Sequence, residues 1–427
     1  MTPLLLATAL TASAAHAAPV VYGYLPYWQD PAIDVPWDHI THLGLFAAEV
    51  DSAGRLTSTA SWRSVAPAAL AEADGRGVQV ELVLAVFDED RQRAALGSAA
   101  SRTALADALE DEVVAVGAEA VNLDIEFMPA DLREPLLELV ADLKARGLKV
   151  TLALPLVDWS DAYDYGALTD ISDGLFIMGY DAHWSGGDAG PLAPLYQSDR
   201  WGWITLEWAV DDYLELGADP EKVWMGLPLY GRGWSVADAG EVPASTTYSS
   251  TGSVTYGAAV AEAATYGRQW DEDSVSPWYD AGGGEQVWYD DTISLSRKME
   301  WAMLDRGLGG VGFWALGYDA GDPVLWTVVD SAVAAAGAGG DDGGSGTGGT
   351  GGGDTGGGDT GGGSGGTGAG GSDGPGGSGD ADGGEEDTGA SGLDDDKSGS
   401  CAVAPVTGGL VLALLAVAGR RRSHSPP

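Results

Sequence analysis

Residues 19–336 repeat one pattern: a helical stretch ends at a glycine, and a short apolar run follows. "ADGRGVQVELVLAV" turns at Gly77, "DEVVAVGAEAVNLDIEF" at Gly117 and "LLELVADLKARGLKVTLALP" at Gly147. "YLELGADPEKVWMGLPLY" turns at Gly217, and "MEWAMLDRGLGGVGFWALGYD" at Gly307. Glycine just past a helix end supplies the left-handed residue that stops it. Helices alternating with apolar strands predict parallel pairing through right-handed crossovers. Strands are expected near 20–26, 40–48, 78–86, 120–127, 148–155, 174–180, 223–229 and 310–316. Eight such units fit an α/β fold, the (β/α)8 TIM barrel. An open doubly wound sheet is the alternative, but no phosphate-binding glycine fingerprint follows the first strand. The stretch from 230 to 309 is too long for one helix and its loops. There "YSSTGSVTYGAAVAEAATYG" and "EQVWYDD" predict a small insertion between strands seven and eight.

Inside that pattern one strand is unusual. "AVNLDIEF", residues 120–127, alternates strictly. Val121, Leu123, Ile125 and Phe127 point one way, and Asn122, Asp124 and Glu126 the other. On a sheet with one face in water this is an ordinary surface strand. In a parallel barrel helices cover one face and the interior the other. The apolar set, Phe127 included, then suits the helices, and the polar set lines the barrel with Glu126 nearest the C-terminal mouth. Burying carboxylates costs several kcal/mol without compensation. Acidic residues at the C-terminal end of a barrel strand usually mean catalysis.

These residues resemble the strand-four motif of family-18 glycoside hydrolases, Asp-Gly-x-Asp-x-Asp-x-Glu, which here reads Glu119-Ala120-Val121-Asn122-Leu123-Asp124-Ile125-Glu126. The final Asp-x-Glu matches. Glu119 and Asn122 replace two aspartates, and the asparagine is similar to a bacterial branch with Val-Asn-Ile-Asp-x-Glu. Further segments resemble the family in order: "YGYLPYW" (22–28), "ITHLGLFAAEV" (40–50), "MGYD" (178–181), "MGLPLYGRGW" (225–234) and "GLGGVGFWALGYD" (307–319). The resemblance implies cleavage of β-1,4 bonds next to N-acetylhexosamine, with retention and the substrate's acetamido group as nucleophile. Glu126 would be the general acid, its pKa raised by an apolar mouth and a second carboxylate. Asp124 would orient the acetamido N–H, and Tyr180, sharing a face with Met178, would bind the acetamido carbonyl. Trp314 would floor the site, or serve as plain core. Asp181 would bind the sugar or tune the acid, or else cap a helix. Asn122, dropping a charge, is expected to let Asp124 ionise more readily. Tyr24, Trp28, Trp159, His183, Trp184, Tyr230 and Arg232 follow strands and could line a cleft.

Composition narrows the partner. The 427 residues carry a formal net charge of −43, which argues against nucleic acid. The 16 Trp and 15 Tyr against 5 Phe suit carbohydrate contact. The five His are scattered, so no metal and no cofactor are implied. The expected partner is an N-acetylglucosamine-containing polysaccharide, met by a monomer. A non-catalytic, chitinase-like glycan-binding lectin is the competing reading, and a surface-tethered adhesion module a third.

The chain ends read differently from its body. "MTPLLLATALTASAAHAAPV" resembles a secretory signal peptide cut after Ala17 or Ala18, although no basic residue precedes the apolar run. In 337–400, 31 of 64 residues are Gly, and the rest are mostly Asp, Ser and Thr, which predicts a disordered acidic linker. Residues 401–427 hold Cys401, an apolar run from Ala402 to Gly419, and Arg420, Arg421 and Arg422. That ending resembles the C-terminal sorting tags of myxobacteria, with Cys401 as the processing and lipidation point. An ordinary membrane anchor is the alternative. Either places the body outside the cytoplasm, secreted and tethered to the cell surface, with membrane contact only through the tail. Cys401 is the one cysteine, so the body folds without disulfides.

Overall fold

The computed structural model describes residues 18–29 and 35–339. Fourteen strands appear among them: β1 (Val20–Pro26), β2 (His42–Val50), β3 (Leu56–Thr57), β4 (Gln79–Val86), β5 (Ala120–Ile125), β6 (Lys149–Pro155), β7 (Gly174–Met178), β8 (Val223–Pro228), β9 (Tyr230–Val236), β10 (Thr247–Thr255), β11 (Gln269–Asp271), β12 (Ser276–Gly282), β13 (Glu285–Trp288) and β14 (Gly310–Trp314). Nine α-helices accompany them: α1 (Ala60–Ala73), α2 (Glu89–Leu96), α3 (Ala99–Val116), α4 (Arg133–Ala145), α5 (Tyr165–Ile171), α6 (Leu206–Glu215), α7 (Tyr256–Tyr266), α8 (Thr292–Glu300) and α9 (Pro323–Gly339).

Eight strands run parallel in the order β1-β14-β8-β7-β6-β5-β4-β2, and β1 pairs with β2 to close the ring. This is the (β/α)8 barrel, with its helices packed outside. The five expected glycine stops all have left-handed φ, from 66° at Gly307 to 93° at Gly217. Four of them lead into a strand within three residues, and after Gly217 a single 3-10 turn, Pro220–Lys222, precedes β8. The helices bury spaced apolar positions, such as Leu105, Leu109 and Val113 of α3.

Aromatic rings fill the barrel axis. Tyr22 and Tyr24 lie 4.6 Å apart between centroids, Tyr24 and Phe176 5.1 Å, and Tyr22 and Trp224 5.9 Å. Rings this large fit because the strands facing them carry glycine. A Cβ at Gly226 would lie 2.3 Å from the Phe176 ring, and one at Gly44 2.6 Å from the Tyr22 hydroxyl.

The insertion between β8 and β14 is an α+β lobe. Its five strands pair antiparallel in the order β10-β9-β13-β12-β11. Helix α7 covers the sheet, packing Ala259 and Ala263 with Tyr279, Val287 and Tyr289. "YGRGW", which follows strand seven, opens strand β9 of this lobe.

Three strands end two residues short of their expected limits, β5 at Ile125, β7 at Met178 and β14 at Trp314, and β8 ends one residue short at Pro228. Phe127 corrects the simple alternation. Its φ is 56° and it is 65% exposed, so it does not reach the helix layer. The chain leaves the ladder after Ile125, and the two-residue period stops with it. Helix α9 continues to Gly339, three residues past the expected end of the body at 336. Among the described residues no helix is long and apolar enough to cross a membrane. The leader to residue 17, the linker from 340, Cys401 and the apolar tail lie outside the described residues.

Candidate active site

Strand β5 places its polar face inward, as its alternation requires. Asn122 is fully buried, Asp124 is 3% exposed and Glu126 7%. Burial first, and the charge of Glu126 second, push the Asp124 carboxyl well above the usual carboxylate range. Beside Asn122 the sequence predicts that Asp124 ionises more readily; burial pushes it the other way. Two buried acids two residues apart cannot both carry charge cheaply in a low-dielectric interior.

The backbone beneath Glu126 is pinned from two sides. Gln92 of α2, fully buried, donates from Nε2 to the Glu126 carbonyl at 2.6 Å and to the Val86 carbonyl at 3.0 Å. The Tyr163 hydroxyl donates to the Ile125 carbonyl at 2.5 Å. Asn122 is held inside the ring: Tyr24 donates its hydroxyl to Oδ1 at 3.2 Å, and Nδ2 donates to Thr151 Oγ1 at 2.8 Å.

Trp314 ends β14 and is 4% exposed, with its following peptide to Ala315 cis. Its ring lies 4.9 Å from Phe46, 5.6 Å from Tyr24 and 6.2 Å from Trp28. Trp28 is oriented by donating Nε1 to the Tyr318 hydroxyl at 3.1 Å. An aromatic wall therefore joins β1, β2 and β14 at the mouth.

A second group gathers after β7. Met178 closes the strand, and Tyr180 and Asp181 follow at the C-terminal rim. Asp181 has φ 58°, a conformation that suits Asp better than most residues. It caps no helix: its Oδ1 accepts from Tyr230 at 2.7 Å and from Arg232 at 3.3 Å, both on β9. The lobe thus reaches into the rim through Tyr230 and the buried Arg232. Tyr180 and Tyr230 meet edge to face at 6.1 Å.

The remaining candidates stand apart from this cluster. Trp184 is 45% exposed on the loop after β7. Trp159, on the loop after β6, is exposed and meets Trp203 at 5.8 Å. His183 braces its own loop, with Nδ1 3.0 Å from the Asp188 carbonyl and its ring against Trp201. Sequence reasoning missed Gln92, Tyr163, Thr151 and Glu81. The last sits in "QVELVLAV", where its alternation with Val83 and Ala85 marks the inward face by the same logic that singled out Asn122.

Comparisons with known proteins identify the family and the fold. A family model described as Glycosyl hydrolases family 18 matches residues 20–319. A Bacillus subtilis protein named as a putative sporulation-specific glycosylase is 27% identical over 312 residues, 70% of this chain and 68% of its own length. Mouse di-N-acetylchitobiase is 31% identical over 172 residues, 36% of this chain; the match spans only 44% of the mouse protein. Among solved structures, Group IV chitinase of Ostrinia furnacalis in complex with allosamidin has a TM-score of 0.66 at 18% identity. The match covers 74% of this chain and 99% of that one, a likeness of fold.

Proposed function

The chain belongs to the glycosyl hydrolases of family 18, and from that premise we propose an exported glycosidase that cleaves β-1,4 links next to N-acetylglucosamine, with retention. The observation that carries this is the pair Asp124 and Glu126, both buried, one near the end of β5 and one just past it, at the mouth of a closed barrel. Retention by a carboxylate nucleophile needs two acids on opposite sides of the bond, roughly 5 Å apart. Asp124 and Glu126, two residues apart at one strand end, do not flank a bond in that way, which fits the nucleophile the family resemblance implies, the substrate's own acetamido oxygen.

The steps follow from which group can hold the proton. Before substrate binds, it stays on Asp124, whose burial favours the neutral form. When substrate enters, its acetamido N–H donates to Asp124 and favours the carboxylate, which moves the proton to Glu126. Glu126 then protonates the glycosidic oxygen as the acetamido oxygen attacks C1 and the C1–O bond breaks. Asp124, now charged, balances the oxazolinium cation, and the Tyr180 hydroxyl holds the acetamido carbonyl. Water attacks C1, the ring opens, and the water's proton returns to Glu126. Trp314 offers the sugar a flat apolar floor.

Two relatives support the substrate class, one named for a di-N-acetylated chitobiose and one as a sporulation glycosylase. The leader and tail support export and tethering. The test compares wild type with Glu126→Gln on a fluorogenic chitooligosaccharide. General acid catalysis contributes about 10²- to 10⁴-fold, and a loss of that size in kcat with unchanged melting is expected. Equal rates, with binding retained in both, would make the protein a lectin. Mass identification of products from chitin oligomers and from peptidoglycan assigns the polymer.

A further inference from the structure

Below the catalytic pair, the barrel interior holds a carboxyl with no part in the steps above. Glu81 on β4 is fully buried. Its Oε2 accepts the Tyr22 hydroxyl at 2.8 Å and the Thr151 hydroxyl at 2.5 Å, and its Oε1 accepts Gln79 Nε2 at 2.5 Å. All three partners are neutral. Thr151 is directly opposite Asn122 in the β5–β6 register, and its Oγ1 also receives the Asn122 amide. One chain of hydrogen bonds therefore runs from Tyr24 through Asn122 and Thr151 to Glu81, and every donor along it points toward Glu81.

We propose that Glu81 is a positioning residue for the catalytic strand: by taking the only hydroxyl proton of Thr151, it obliges residue 122 to be a hydrogen-bond donor. A hydroxyl has one proton to give and lone pairs to receive. With that proton committed to Glu81, Thr151 can only accept from its other neighbour. Asn122 supplies the N–H, which turns its Oδ1 toward Tyr24 and fixes both side chains beside Asp124. An ionised aspartate at this position has no proton to offer, and its oxygen would meet the lone pairs of Thr151. Glu81 and Asn122 are thus a matched pair.

Ionisation of Glu81 sets the direction of the chain. Burial raises its pKa to about 7 against the lowering pull of its three donors. The titratable groups around it are Tyr22 and Tyr24 on β1, both pushed above their usual range by burial, His42 on β2, lowered to about 4, and Asp173 before β7. Above neutrality Glu81 is the acceptor-only end that the pairing requires.

The inference rests on the glycosidase reading for its kinetic half only. Wild type, Glu81→Gln, Asn122→Asp and the double variant are compared at pH 8 for melting temperature and for kcat on a chitooligosaccharide. Asn122→Asp should lower kcat about 10- to 100-fold, the range expected when a buried polar group loses its partner and a reacting group is displaced. Glu81→Gln should cost less, because its amide can donate to Thr151. Thr151 is then free to donate to a carboxylate introduced at position 122, so the double variant should melt higher and react faster than Asn122→Asp alone. If Asn122→Asp does not fold, recovery of a folded double variant gives the same support. Additive losses in both readouts, or a double variant that also fails to fold, overturn the pairing. Coupling in melting without coupling in kcat overturns the positioning role. A wild type no faster than Glu126→Gln removes the hydrolytic reading and the positioning role together, while the melting cycle still reports on the pair.

Discussion

The barrel interior and the inserted lobe both bury charge, and they treat it in opposite ways. Where the lobe meets α8, Lys298 and Asp290 are buried together, and Lys298 also donates to Ser276 at 3.2 Å. Nearby Asp271 is shared by Arg200 at 2.5 Å and the Trp201 indole at 2.7 Å. Both of these carboxylates have a cation against them. In the barrel, Glu81 meets two hydroxyls and an amide, and Asp124 meets the charge of another acid. The lobe uses its charges to hold shape. In the barrel, burial is the largest cause raising the pKa of both Glu81 and Asp124 and favours their neutral forms.

The contrast has measurable edges. Lys298→Ala strands a buried carboxylate, and about 3–5 kcal/mol of stability should be lost. Denaturant melts check this, and molecules still folded should keep their kcat. A large fall in kcat per folded molecule would place the lobe's ion pair in the chemistry and erase the distinction.

A smaller effect tests the barrel side. The folded pKa of Glu81 is raised from 4.5 to about 7. Its contribution to stability is therefore fully present below pH 4.5 and is lost as pH rises through 7. The difference between wild type and Glu81→Gln should change by up to about 3 kcal/mol across that window. A flat difference would show Glu81 ionising as freely as a surface acid.

The smallest change sharpens the boundary at the rim. Tyr180→Phe keeps the ring against Tyr230 and removes the hydroxyl proposed to hold the acetamido carbonyl. It should lower kcat about tenfold, within the range for a single transition-state hydrogen bond. A loss confined to KM would mean that Tyr180 only binds.

Much of this was legible in the chain. The glycine stops announced the barrel, because a left-handed residue at a helix end is a local demand that few other residues meet. The polar face of β5 was legible because a parallel strand has no watery side. Glu81 carried the same signal one strand earlier, but its partners Tyr22 and Thr151 lie 59 and 70 residues away in the sequence, and no local pattern names them. Gln92 and Tyr163 were hidden because they act on backbone carbonyls, whose positions exist only in the folded chain. The exit of Phe127 from β5 was hidden for a related reason: alternation says nothing of where a strand stops.

The stacked rings of Tyr22, Tyr24, Phe176 and Trp224, seated against glycines, have a consequence for traffic. They cork the barrel from below, so no polymer can thread through it. Under the proposed function, a glycan would lie across the open rim like a rod on a saucer, and both fragments would depart by the side from which the intact chain came.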